Sequence, residues 1–301
     1  MKSRVKNSAI PATFTEATLR VNEFRRITRV MFDRPVVVFG MIIIIILIFT
    51  AIFAPFIAQY DPTVPNFKAV LAQPSSAHFL GTDQLGRDVL SRIIYGTQIS
   101  LLVAIIPVII AAVLGMGLGL VAGYTGGWAG IIIMRFTDAF LALPPLVLML
   151  AIAAALGGGL KNILISLSVV LIPTYIRLTR GQVLSIKFSD YILGARVIGA
   201  SNVRIIGRHV FPNSFPPLLV LITINMGLGI MAEASLSFLG LGISPPTPSW
   251  GAMVNDGYSY LLSNPLISLA PGISILLVVL ALNLVGDGLR DALDPRLRGI
   301  L

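Results

Sequence analysis

Few residues in this 301-residue chain could do chemistry, and their types and spacing argue against catalysis. There are two histidines, His78 and His209, and no cysteine. Neither an HExxH helix that would hold zinc nor a GxSxG turn that would present a serine nucleophile occurs, so no metal site and no catalytic residue is expected. The GxxxxGK[ST] phosphate loop is missing, and the chain lacks even a Gly-Lys dipeptide, so nucleotide must be handled elsewhere. Asp61 and Asp287 invite comparison with paired carboxylates that activate a water. Hydropathy puts them at opposite faces of a membrane, about 30 Å apart, where they cannot share one.

The remaining ionisable groups fall in or beside long apolar runs, where a charge is costly and needs a reason. Arg135 and Asp138 lie one helical turn apart and are expected to pair with each other. Asp287 and Arg290 stand at the inner end of the last apolar run as an anchor. Glu233 has no charged partner within a turn of it. It is read either as a helix-packing hydrogen bond or as a contact for a substrate amine.

Outside the runs, Gly81-Thr82-Asp83-Gln84-Leu85-Gly86-Arg87-Asp88-Val89-Leu90-Ser91-Arg92 contains Asp83 with Arg87 and Asp88 with Arg92, each acid four residues before its base. That order favours a helix. Leu85, Val89 and Ile93 would share its apolar face, giving an amphipathic segment that braces the mouth or serves as a docking surface.

Between two apolar runs lies a polar stretch, 189–213, read as helix, glycine turn, helix. Ser189 or Asp190 can cap its first helix, Gly199 breaks that helix, and Pro212 stops the second. Tyr191, Gly194, Ala195, Arg196, Gly199, Ala200, Ser201, Phe211 and Pro212 form its candidate contact surface. Ala195 and Gly199 stand where a packed partner would leave room only for small side chains, and Arg196 and Arg204 are expected to be solvated or to face phospholipid.

The elements that must position these groups are membrane helices. Hydrophobic residues make up 56% of the chain, charged ones 12%, and the mean hydropathy is +0.91. Six spans are expected, at roughly 36–58, 98–123, 131–156, 162–180, 215–237 and 265–286. The net charge of +9 is mostly topological: 18 of 22 Lys and Arg fall in segments placed inside, so the basic balance is not a nucleic-acid signal. The N-terminal segment 1–35, the hairpin and the tail 288–301 are placed in the cytoplasm, the first span is 36–58, and the loop 59–97 lies outside. The remaining core is 98–287. Tyr124, Trp128, Trp250, Tyr258 and Tyr260 would form an aromatic belt. Gly115, Gly119 and Gly123 recur every four residues, a stripe for close helix packing or a hinge. Pro107, Pro144, Pro145, Pro173 and Pro271 are expected to interrupt helices. No internal repeat supports an inverted-repeat transporter working alone.

Six segments, in order, carry a family resemblance: HFLGTDQLGRDVLSRIIYG (78–96), MRFTDAFLALP (134–144), the hairpin 190–213, ASLSFLGLG (234–242), PPTPSWGAMV (245–254) and NLVGDGLRDALDPRLRG (283–299). The chain resembles the C-type permease subunit of an ABC importer of the dipeptide/oligopeptide/nickel family. In the hairpin, Ala195, Gly199 and Pro212 match that family's coupling loop, while Leu193 stands where a glutamate is usual, Gly194 at an alanine and His209 at an isoleucine. The resemblance implies an all-α membrane protein with a type I importer fold in a bacterial or archaeal plasma (inner) membrane. It implies a second homologous permease, two cytoplasmic ABC ATPases that use ATP and Mg, an external solute-binding protein and the surrounding lipid as partners. Peptides are the implied substrate class, with nickel chelates, glutathione or oligosaccharides as alternatives. A secondary transporter or an intramembrane enzyme is the remote alternative.

Overall fold

The computed structural model describes residues 28–293. The basic residues before 28, and Arg296 and Arg298 after 293, lie outside the described residues. Among the described residues the chain is helical, with a single isolated bridge between Thr82 and Asp88.

Helix α1 spans Pro35–Ile57, opened by a proline whose fixed φ suits the first helical position. Helix α2, Val89–Tyr124, is 36 residues long, well beyond the expected 98–123, because Asp88 caps it early by accepting a hydrogen bond from the Ser91 N–H at 2.8 Å. Helices α3 (Gly127–Leu141) and α4 (Pro145–Leu156) meet at 92°, so the expected straight span 131–156 is broken. Pro144 and Pro145 remove two consecutive N–H donors there, which ends α3. Pro107, Pro173 and Pro271, by contrast, sit inside continuous helices. Helix α5 is Leu160–Ile186, and the hairpin follows as α6 (Asp190–Val197) and α7 (Asn202–Ile205). The chain then continues through a π-helical turn, Ile206–Val210, directly into α8, Phe211–Phe238. Pro212 therefore does not stop the second hairpin helix. It occupies the first turn of α8, inside a helical path that runs unbroken from Asn202 to Phe238. Helix α9 (Trp250–Tyr258) is short, and α10 is Leu266–Leu293.

The glycine stripe sets the central packing. Gly115, Gly119 and Gly123 back onto Tyr175, Thr179 and Val183 of α5, where a methyl group on any of them would come within 2.5–2.8 Å of the opposing Cβ. Both series advance by four in the same direction, so α2 and α5 run parallel. The chain between them must therefore return to the end where α2 began, and the bent pair α3–α4 makes that single crossing. The ion pair Arg34–Asp291 joins the start of α1 to the end of α10, so these two helix ends lie at the same end of the bundle. Among the described residues five helices are long and apolar enough to cross a membrane, six when the bent pair α3–α4 is taken as one span. At that end α10 backs onto α1, with Gly288 against Val37, while Gly286 meets Thr223 of α8. The lipid-facing side of α1 exposes Ile45, Ile52 and Phe56.

At the opposite end, loop 59–88 folds back as a cap over the start of α2. The amphipathic helix expected over 83–92 begins only at Val89; before it the backbone turns at Gly81 and Gly86, with φ of 75° and 73°. No side chain could replace Gly86, because a Cβ there would lie 1.8 Å from the Asn66 carbonyl oxygen. Asn264 donates to the Leu71 carbonyl at 2.8 Å, tying the cap to the loop before α10.

Candidate functional site

The hairpin extends from the end of the bundle where Arg34 meets Asp291. Gly199 turns it with φ of +81° and has nothing within 4 Å, so its glycine is required by the backbone and not by crowding within the chain. Ser189 precedes α6 without a capping bond from its side chain, whereas Ser201 caps α7 by accepting from the Arg204 N–H at 3.4 Å. Ile192, Ile205 and Val210 are buried and hold the two short helices together, with Ala195 and Ala200 packed against them. Ala195 thus faces this chain's own core. What the hairpin leaves uncovered is apolar: Val197 is 87% exposed, Ile198 84% and Val203 82%, with Gly194 beside them and Tyr191 half exposed. A patch of this kind on a polar loop marks an interaction surface.

Tyr124, the last residue of α2, is buried against the hairpin and takes no part in an aromatic belt. Its hydroxyl donates to Asn202 Oδ1 at 2.8 Å, and its carbonyl accepts from Lys187 Nζ. The Lys187 ammonium lies 5.4 Å from the ring centroid and the Arg196 guanidinium 5.7 Å, both within cation–π range. Arg196 is therefore half-buried on Tyr124, not solvated as its sequence position suggested.

At the far end, Thr82, Asp83, Arg87, Asp88, Ser91 and Arg92 are all buried. Asp83 accepts from the Leu85 and Arg87 N–H groups at 2.9 Å and from Arg87 Nε at 2.7 Å, with Arg92 Nε at 3.6 Å. Asp88 is not paired with Arg92. It caps α2 and meets His78 Nδ1 at 2.9 Å, while Arg92 donates to the Pro62 carbonyl at 3.3 Å. The four-residue spacings were visible in the sequence, but they serve a turn and a cap. Trp250 fills the adjacent core, its indole N–H donating to the Ile93 carbonyl at 3.0 Å over the flat surface of Gly96. Beside this region Asp61, Tyr95, Gln98 and Thr247 line an outer crevice of about 270 Å³. Hydrogen bonds from the Thr63 hydroxyl and N–H lower the Asp61 carboxyl below its ordinary value, keeping it ionised.

Glu233 is 2% exposed. The Ser237 hydroxyl donates to its Oε1 at 2.6 Å, and Ser249 lies beside it in the loop before α9. Its surroundings are those of a side chain that fastens α8 to α9, where Gly251 lies against Ala234. Asp138 pairs across to Arg177 of α5 at 2.7 Å, not with Arg135, which stands exposed on α3. Asp287 and Arg290 are both exposed; the tie at that end is Arg34–Asp291. Tyr175 and Asn225, joined at 3.1 Å in the buried core between α5 and α8, were not singled out from sequence. The tyrosine four residues before Thr179 on the glycine-facing side was the available signal.

Residues 115–299 match the family described as binding-protein-dependent transport system inner membrane component. The chain belongs to that family. Residues 23–74 match the N-terminal transmembrane domain of oligopeptide transport permease C. The permease is 45% identical over 266 residues to the di/tripeptide transport system permease protein DppC of Pseudomonas aeruginosa, covering 86% of this chain and 88% of that one. It is 46% identical over 257 residues to the glutathione transport system permease protein GsiD of Shigella flexneri, covering 85% of each. Among solved structures, the permease is similar to a chain of the inward-facing MetNI methionine ABC transporter with a TM-score of 0.56, covering 68% of this chain and 98% of that one. At 18% identity that likeness establishes the fold, a type I importer permease. This permease is thus an inner-membrane subunit of an ABC importer, from a family whose ATPase activity lies in partner subunits.

Proposed function

We propose that this permease forms, with a second homologous permease, the membrane pathway for di- and tripeptides, glutathione included, and that an external binding protein delivers them. Two cytoplasmic ATPases bind ATP and Mg and close beneath the hairpin, whose uncovered Val197, Ile198 and Val203 seat on one of them. That patch is the observation that carries the reading, since its apolar side chains project from an end otherwise rich in Arg and Lys. The same charge bias supports a cytoplasmic side for the hairpin and both ends of the chain. The relatives' di/tripeptide and glutathione transport supports the substrate class.

The test is reconstitution. With its second permease, ATPases and binding protein, the complex in vesicles should accumulate labelled di- and tripeptides when ATP is supplied. The permease alone should accumulate none and hydrolyse no ATP. Uptake by the lone subunit would overturn the heteromeric reading.

A further inference from the structure

Two spans are covalent continuations of the hairpin: α5 runs into α6, and α7 runs through the π turn into α8. Helix α2 is not, yet it ends against the hairpin. Its polar connection there is concentrated in one residue. Tyr124 reaches Asn202 on the second hairpin helix through its hydroxyl, Arg196 on the first through its ring, and Lys187 at the hairpin's base through its carbonyl and ring. Leu120, one turn earlier, adds apolar contact to the same cluster.

What α2 carries at its other end makes this contact consequential. Its 36 residues extend about 54 Å at about 1.5 Å per residue. That length runs from the hairpin to the buried outer cluster of Asp83, Arg87, Asp88 and Arg92, whose Asp88 caps the helix. Along the inner half, the glycine stripe keys α2 onto α5 without intervening side chains, so the two helices resist sliding past one another.

We propose that Tyr124 is the positioning residue through which hairpin movement reaches α2, and that α2 carries it to the outer loop 59–88. This rests on the reading that the hairpin is the ATPase contact. The Tyr124–Asn202 hydrogen bond supplies the directional part, because it joins the α2 terminus to the helix beyond the glycine turn, where the other contacts of the cluster are apolar. The two cations on the ring hold the tyrosine in place and keep the base of the hairpin registered with α2.

The absence of cysteine makes the test direct. Single-cysteine reporters Leu193→Cys, half-exposed on the first hairpin helix, and Leu85→Cys, in the outer loop, are introduced separately into the full transporter complex. Thiol-labelling rates are compared with and without vanadate-trapped nucleotide. In the otherwise unaltered complex both reporters should change rate on trapping. Adding Tyr124→Phe, which keeps the ring and its cations, should leave the hairpin response intact and abolish the outer one. Asn202→Ala, at an exposed position, should do the same, and the double variant should be no worse than either alone. Binding-protein-stimulated ATP hydrolysis should persist with a severalfold lower ratio of peptide moved to ATP consumed. If both variants preserve the outer response, the transmission role of Tyr124 is overturned. If the Leu193→Cys reporter does not respond even with Tyr124 present, the failure lies in the assignment of the hairpin as the ATPase contact.

Discussion

Gly119 backs directly onto Thr179: a methyl group on the glycine would stand 2.6 Å from the threonine Cβ and 2.8 Å from the Ile176 carbonyl oxygen. Neither opposing atom lies at the end of a flexible chain, so the helices themselves would have to separate. Gly119→Ala should already cost about 1–3 kcal/mol by overpacking. Gly119→Leu should lower the yield of assembled complex severalfold, measured by co-purification of the second permease. Normal yield with lost transport would instead make the stripe a moving seam.

Asp83 is shared by two buried guanidinium groups and two backbone donors. Asp83→Asn removes the charge that compensates Arg87 and Arg92, and breaking a buried pair in this way costs about 3–5 kcal/mol. The purified complex should melt earlier, and protease should cut within 59–88 at a rate the native loop resists. Asp88→Ala loses a helix cap and should cost about 1 kcal/mol. An unchanged melting temperature for Asp83→Asn would show that the cluster does not stabilise the cap.

Glu233 is enclosed by Ser237 and Ser249, so its work is to fasten α8 to the loop leading into α9. Glu233→Gln preserves size and can still accept from the Ser237 hydroxyl. It should leave the ratio of uptake between free-amine and N-acetylated peptides unchanged. Glu233→Leu strands the buried Ser237 hydroxyl, at about 1–3 kcal/mol, and should reduce complex yield. A selective loss of free-amine peptides with Glu233→Gln would make it a substrate contact.

The membrane-length helices, the glycine seam and the shape of the hairpin were legible because each rests on local pattern: apolar length, small residues at intervals of four, a glycine at a turn. Ion-pair partners were not. Asp138 sits a turn from Arg135 but reaches Arg177, 39 residues away, because parallel packing of α2 on α5 brings α3 alongside α5. The Asp83–Arg87 spacing suggested a helix, but the left-handed glycines at 81 and 86 turn the same spacing into a loop. Pro212 looked like a terminator, yet a proline at the start of a helix and one just past its end are indistinguishable until the neighbouring helix is placed. Tyr124 read as an interfacial aromatic for the same reason: its partners Asn202 and Arg196 lie more than seventy residues on.

Gly199 permits the sharpest separation of backbone from surface. Its φ of +81° costs any residue with a Cβ, but Asn and Asp tolerate that region best, and nothing lies within 4 Å for their side chains to strike. Gly199→Asn and Gly199→Asp therefore carry nearly the same backbone cost, about 1 kcal/mol, and differ in charge. Both permeases should reach the membrane in normal amounts, because the membrane-length helices are untouched. The aspartate alone puts a negative charge among Val197, Ile198 and Val203, where burial against the proposed ATPase would have to desolvate it. Gly199→Asp should lower ATPase recovery on purification severalfold and abolish peptide uptake, while Gly199→Asn keeps most of both. Should Gly199→Asp retain full ATPase recovery and uptake, the exposed patch is not the contact, and the hairpin is only a linker between α5 and α8.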